Sequence, residues 1–165
     1  MGGLMPTFET QQPGGRARAS FINSITDEVT ALRALHNPGW STFTPALTAA
    51  TTAPNLGSTG SAVGRWWWHG AFVFTEIALT FGGTGVAAGS GAYRLSLPTP
   101  PNPADRAIGS LYLAHPGTSA VQAGVCRVNG GVLELIGPTA LVTHAAPWTW
   151  AAGDSITASI AYNPA

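Results

Sequence analysis

The sequence predicts a mainly β protein: an antiparallel β-sandwich or jelly-roll head, preceded by an extended N-terminal arm and one short coiled-coil-like helix. Three observations carry the prediction. Ile22, Ile25, Val29 and Leu32 keep the 3-4-3 spacing of a coiled-coil seam. From Trp40 onward the chain is rich in Gly, Thr and aromatic residues, and no helix-period stretch of comparable length follows. That second part breaks into short alternating segments punctuated by Gly and Pro, the pattern of many short antiparallel strands.

Taken in order, residues 1–19 are an extended docking arm. Pro6, Pro13 and the Gly14-Gly15 pair forbid regular structure. A Gly-, Pro- and Gln-rich segment cannot build a core of its own, so it gains order only from a surface it docks on. Residues 20–37 form an oligomerisation helix, with Ser20 as N-cap and Asn37-Pro38-Gly39 as the stop. Two heptads are too short to stand alone in water, so this helix packs on copies of itself, on a partner, or on its own head. His36 follows Leu32 by four residues and continues the seam. In a trimer, three copies of it would converge near the axis, placed to bind an anion or to titrate together.

Residues 38–62 are a connector rich in Thr, Ala, Pro and Gly that runs along the head and adds short strand pieces. Residues 63–165 are the head, with strands expected at 63–69, 71–82, 92–97, 108–115, 119–128, 131–136, 140–145 and 154–162. Val73, Thr75, Ile77, Leu79 and Phe81 share one face of the second, and Ile156 and Ile160 alternate with polar residues in the last. Val128-Asn129-Gly130-Gly131-Val132 is the best hairpin signal, with Asn-Gly supplying the positive φ angles of a primed turn. Leu97-Pro98-Thr99-Pro100-Pro101-Asn102-Pro103 cannot be a central strand. Gly82-Gly83-Thr84-Gly85 reads as a hairpin loop, since no helix follows it to cradle a phosphate.

Composition narrows the functional classes. Only 8% of the 165 residues are charged, against about a quarter in ordinary soluble domains. All seven basic residues are Arg and they balance seven acids, so the formal net charge is zero. With so little repulsion to keep copies apart, the chain suits a component of an assembly. The same neutrality argues against nucleic-acid binding, which needs a clustered basic face; Arg16 and Arg18 are the only local pair. Cys126 is alone and excludes an intrachain disulfide or thiolate metal cluster; within a strand it reads as a buried inert thiol. No apolar run approaches the ~20 residues of a membrane span, and no basic region precedes an apolar core as in a secretory signal. The expectation is a chain made in a cytoplasm and not inserted in membrane.

Several stretches, in order, resemble the small β-rich structural proteins of tailed bacteriophages, especially minor tail proteins and fibre-like or decoration modules. Trp40-Ser41-Thr42-Phe43-Thr44-Pro45-Ala46-Leu47-Thr48-Ala49 is similar to the entry of such modules. Asn55-Leu56-Gly57 followed by Gly64-Arg65-Trp66 resembles their next segment. Phe81-Gly82-Gly83, Gly89-Ser90-Gly91-Ala92-Tyr93 and Leu95-Ser96-Leu97-Pro98 resemble their central hairpin. Trp150-Ala151-Ala152-Gly153-Asp154-Ser155-Ile156, with Tyr162 near the end, is similar to their last strand. The resemblance spans residues 40–163. It implies a virion component assembled in the host cytoplasm, a homotrimer whose partners are other capsid or tail proteins, with no catalytic residue set and no cofactor. The N-terminal region is shorter than the stalk of long tail fibres, which leaves a capsid-decoration or head-fibre role open beside the tail.

Candidate chemistry is sparse. His36, His69, His115 and His144 show no metal-ligand spacing, so no metal site is expected. Asp105, Glu76, Glu134 and Asp154 are scattered; a polysaccharide depolymerase would need two of them, Glu76 with Glu134, across a cleft. Gly57-Ser58-Thr59-Gly60 lacks the form of a nucleophile elbow. The sharpest candidates are indoles. Trp66-Trp67-Trp68 puts Trp66 and Trp68 on one strand face and Trp67 on the other, and Trp148 and Trp150 repeat the i, i+2 pattern. Exposed indoles anchor protein interfaces or stack on sugars, so Trp66, Trp68, Trp148 and Trp150 are the candidates for partner or host-glycan contact.

Overall fold

A computed structural model describes residues 19–36 and 39–165, the side chains of 34–36 excepted. The chain divides into two units, 1–37 and 38–165. The arm reading therefore falls almost wholly outside the described residues, as do Asn37 and Pro38 of the helix stop. In the first unit, α1 (Ala19–His36) starts one residue before the expected N-cap, so Ser20 lies inside the first turn. Thr26 and Thr30 donate their hydroxyls back to the carbonyls of Ile22 and Thr26, which keeps both polar groups on the helix surface.

The second unit is built on nine strands among the described residues: β1 (Ser41–Phe43), β2 (Leu47–Ala49), β3 (Ser61–His69), β4 (Phe72–Thr80), β5 (Tyr93–Leu95), β6 (Ile108–His115), β7 (Ala120–Asn129), β8 (Val132–Ile136) and β9 (Ser155–Tyr162). All pairs are antiparallel, and hydrogen bonds join them in one sheet of order β1-β3-β4-β9-β6-β7-β8-β5-β2. The 38–62 stretch supplies both edges, β1 and β2.

The sheet curls. Trp150 stacks on Phe81, just after β4, and also meets Tyr93, the first residue of β5. In the strand order β9, β6, β7 and β8 lie between β4 and β5, so only a curled sheet brings both residues to one indole. The inward face is continuous and apolar: Val73, Ile77 and Leu79 of β4, Ile156 and Ile160 of β9, Leu111 and Leu113 of β6, Leu133 and Leu135 of β8, and Leu95 of β5 form one core. The period-2 alternation that places these side chains inside places their neighbours outside.

A single long ribbon imposes the curl. Leu47 pairs with Leu95, Thr52 with Ser90, Asn55 with Ala87, Ser61 with Thr80 and His69 with Phe72, so residues 47–69 and 72–95 run as two arms of one hairpin closed at Gly70-Ala71. Its middle is not regular strand. Ser58 donates its amide to the Thr84 carbonyl and Thr59 to that of Gly82, and from there to β3 one arm carries one residue more than the other. At this crease the ribbon folds over, so its two ends reach opposite edges of the sheet. The Gly82-Gly83-Thr84-Gly85 run is thus mid-ribbon, paired with the connector, and the hairpin-loop reading is corrected. Glycine is required here by closeness: a Cβ on Gly57, at φ +89°, would run into the Gly82 carbonyl oxygen.

Two further expectations change. Residues 140–145 form no strand; after β8 the chain turns at Gly137, and a short hook bonds on both sides, Val142 donating to the Leu135 carbonyl and Tyr93 to that of Val142. In the β7–β8 hairpin Asn129 ends its strand opposite Val132, and Gly130 and Gly131 are the two positive-φ residues. The turn is therefore Gly-Gly.

Gly57→Ala is expected to lower the unfolding free energy by about 2–4 kcal/mol, because a positive φ and a steric clash coincide. Gly85→Ala, at φ +81° with open space around it, should cost only about 1 kcal/mol. Urea midpoints of the two variants against the parent measure the difference.

Candidate functional site

Two surfaces present side chains that the fold does not use. The first is the seam of α1, where Ile22, Ile25, Val29 and Leu32 are between 38% and 52% exposed. The His36 side chain lies outside the described residues.

The second is the outward face of the sheet. On β3 and β4 the cross-strand pair Trp67–Phe74 stacks with ring centroids 4.7 Å apart, Trp40 meets Trp67 edge-on at 4.0 Å, and the Arg65 guanidinium sits 4.3 Å over Trp40. Arg65 also donates to Glu76 on β4, its partner in register. Beyond that pair the face becomes small and apolar. Val63, Ala78, Thr157, Tyr112 and Ala123 lie in one row across β3, β4, β9, β6 and β7. Ser159 and Ser110, whose hydroxyls are 2.7 Å apart, join Glu76 to Val125 in the next. Ile108, Tyr112, Val121 and Val125 stand exposed on β6 and β7, and Ile108 is 69% exposed. A shallow groove of about 440 Å³ runs beside Val63, Ala78, Thr157 and Ser159.

The four candidate indoles divide. Trp66 and Trp68 do share a face, with centroids 6.2 Å apart, and it is the inward face: Trp66 packs partly against the core, while Trp68, at the end of the strand, is 42% exposed. Trp148 is half-buried, stacked on His115. Trp150 is corrected outright: it is 4% exposed, wedged against Phe81 and Tyr93, and donates Nε1–H to the Thr143 carbonyl at 2.8 Å. Its indole is a core pillar and cannot meet a sugar or partner. The cluster that sequence reasoning missed is Trp40, Trp67 and Phe74. Its one legible signal was that Trp67 must face away from Trp66 and Trp68.

The ionisable groups are spent on structure. Asp154, 1% exposed, accepts from His115 Nδ1 at 2.6 Å and from the Ala151 amide at 2.8 Å, while its own carbonyl takes the Phe81 amide. It fastens the end of β6, the Trp148–Trp150 loop and the start of β9. His144 Nδ1 accepts the Gly91 amide. Glu76 and Glu134 lie on β4 and β8 with three strands between them, each held by its own Arg, and do not face each other across a cleft. Asp105 closes a loop, taking the amides of Ala107 and Asn163. Among the described residues no three His, Cys, Asp or Glu side chains gather to hold a metal, and no helix is long and apolar enough to cross a membrane. Cys126 is fully buried on β7, and burial pushes its thiol up to about 11.

Glu134 is the exception in its electrostatics. Burial alone would raise its carboxyl, but hydrogen bonds from Asn129 and Arg127 and the charges of Arg127 and Arg94 outweigh it and hold the group below its ordinary 4.5. Arg127 and Arg94 are its cross-strand partners on β7 and β5. Comparison with protein-family models, curated proteins and solved structures finds no match for this chain.

Because the folded carboxyl titrates lower than the unfolded one, its stabilisation is present above about pH 4.5 and is lost as pH falls through the folded value. Glu134→Gln should therefore melt below the parent at neutral pH, by on the order of 1 kcal/mol since Arg127 is half exposed. The gap should close in acid. A gap constant from pH 7 to pH 3 in thermal melts would contradict this account.

Proposed function

We propose that the protein is a non-enzymatic structural component of a tailed-bacteriophage virion: a homotrimeric surface appendage of the minor-tail or fibre-like kind, docked by residues 1–19, with its β head outward. The observation that supports this best is the seam. Four apolar side chains at coiled-coil spacing stand exposed on a helix of a chain with almost no charge. In this reading α1 is one strand of a short three-stranded coiled coil, and the curled sheet is a jelly roll, an architecture wound by folding a long ribbon across itself. Its partners are its own copies and other virion proteins of the capsid or tail; nucleic acid, membrane and cofactors have no part.

The seam carries only part of the association. Full burial of an apolar side chain gives about 1.5–3 kcal/mol, and these four are already about half covered. That leaves roughly 3–6 kcal/mol per helix, against ~4–15 kcal/mol for the freedom lost on association. The heads or the docking surface add the rest. A location on the shell, as capsid decoration or head fibre, is the same reading with a different lattice. A glycan-contacting adhesin is a second reading, favoured by Trp68 standing open beside Trp66.

Light scattering of the full chain should give about three times 16.9 kDa, and Val29→Asp should weaken the trimer about 10–100-fold by placing charge in the seam. A monomer at every micromolar concentration, or absence of the chain from purified particles, would end the reading. Copy number relative to the major capsid protein separates shell from tail. For the adhesin, host wall glycan should quench indole fluorescence in the parent and not in Trp68→Ala; no quenching in either removes it.

A further inference from the structure

We propose that Asn129 is a site of spontaneous covalent modification. The Gly130 backbone amide displaces its side-chain amide, water completes the conversion to a carboxylate, and the Glu134 side chain is the clasp that sets the rate. The inference is independent of the assembly reading above.

The chain has six asparagines, and the structure singles out one. Asn37, Asn102 and Asn163 each precede proline, whose nitrogen carries no hydrogen to give up. Asn23 lies within α1, where the following amide belongs to the helix ladder. Asn55 Oδ1 accepts the Gly57 amide at 2.9 Å, and the bulky Leu56 follows it. Asn129 alone precedes glycine. It stands at the tip of the β7–β8 hairpin, where Asn129, Gly130 and Gly131 are all exposed. A Cβ on either glycine would meet nothing within 4 Å, so the approach to the Gly130 nitrogen is open. Among the described residues that amide meets no acceptor. Two successive glycines also give the turn a permissive backbone, able to make the rotation that brings nitrogen to Cγ.

The step balances with water as the only co-reactant. The Gly130 amide gives its proton to hydroxide, and its nitrogen attacks Asn129 Cγ. The new N–Cγ bond closes a succinimide ring as the Cγ–Nδ2 bond breaks, and ammonia leaves with a proton taken from water. A water molecule then opens the ring at either carbonyl. One opening leaves aspartate at position 129; the other leaves its isomer, whose main chain runs through the former side chain.

Glu134 opposes the first step. Arg127 and Glu134 are paired in register, and Asn129 and Val132 are the next pair on the same face. The Asn129 amide is turned to the Glu134 carboxylate. A side chain held across the hairpin cannot turn back on its own main chain. After conversion the donor is gone and a second negative charge stands beside Glu134, so the hairpin end loosens.

Full-length protein held in mildly alkaline, heavy-oxygen water tests this by isoelectric focusing and peptide mass mapping. Because the chain starts at zero formal net charge, one new carboxylate gives a resolved acidic band. That band should carry one heavy oxygen at position 129 and none at the other asparagines. Glu134→Ala should convert about 10-fold faster or more, since a hydrogen bond to a charged group is lost. Glu134→Gln, which keeps an acceptor without its charge, should gain less, and it carries the comparison if Glu134→Ala does not fold. Gly130→Ala crowds the attacking nitrogen and should suppress the band. An unmodified position 129 in the parent, over the time in which the urea-unfolded chain converts completely, overturns the inference. Modification spread over the other asparagines overturns it as well. Equal rates in the parent and the folded Glu134 variants, or a parent that converts as fast folded as in urea, overturn the clasp.

Discussion

Two backbones touching at the crease of the ribbon is the constraint on which the head depends. A two-stranded hairpin this long would otherwise lie flat and leave one side chain in two on each face without cover. Folding it where Gly57 meets Gly82 sends β2 and β5 to one end of the sheet and β3 and β4 to the other. The remaining strands, β6 to β9, fill the interval between them. One core follows, because both ends of the ribbon now turn the same face inward. Trp150 and Asp154 secure the closure: the indole touches residues from both ends, and the carboxylate ties the loop that carries it to β6 and to Phe81.

That closure also settles what the outside of the sheet must be. Inward positions take the large aliphatic side chains, so outward positions on five adjacent strands were free to be polar and charged, as they are in most solvated antiparallel sheets. They are instead alanine, serine, threonine, valine and aromatic, with their few charges paired edge to edge. The helix shows the same trait, with Ile22, Ile25, Val29 and Leu32 exposed along one stripe. Two separate elements thus leave apolar surface open: the outward face of the sheet, and α1, where Asp27, Glu28 and Arg33 lie beside the stripe.

Legibility followed the regularity of the backbone. The strands β3, β4, β6, β7, β8 and β9 were readable to within a residue or two because alternation of Val73, Ile77 and Leu79, or of Ile156 and Ile160, is a direct imprint of the pleat. The 3-4-3 spacing marked α1 equally well. The ribbon's middle left no such imprint, since residues 50–60 and 82–92 pair through irregular backbone and carry Gly, Thr, Ser and Pro where alternation would have been the clue. Its glycines looked like a loop because closeness to another segment is written in neither segment alone. Trp150 and Trp148 shared one spacing and met different fates, decided by a curl that brings Phe81 and Tyr93 together. Likewise His115 and Asp154 are 39 residues apart, and Trp40 reaches Trp67 only through a register that no local pattern encodes.

The two ends of the sheet are β1 and β2, three residues each. A strand that short presents very few free amide and carbonyl groups to a passing chain, so it is a poor template for adding another strand. For most proteins the usual guard against runaway edge-to-edge growth is a lysine on the edge, and this chain has no lysine at all. Brevity does that work in place of charge. It gives a nearly neutral head, with apolar side chains open on its outward face, a protection against amyloid-like edge-to-edge growth that is built into the backbone itself.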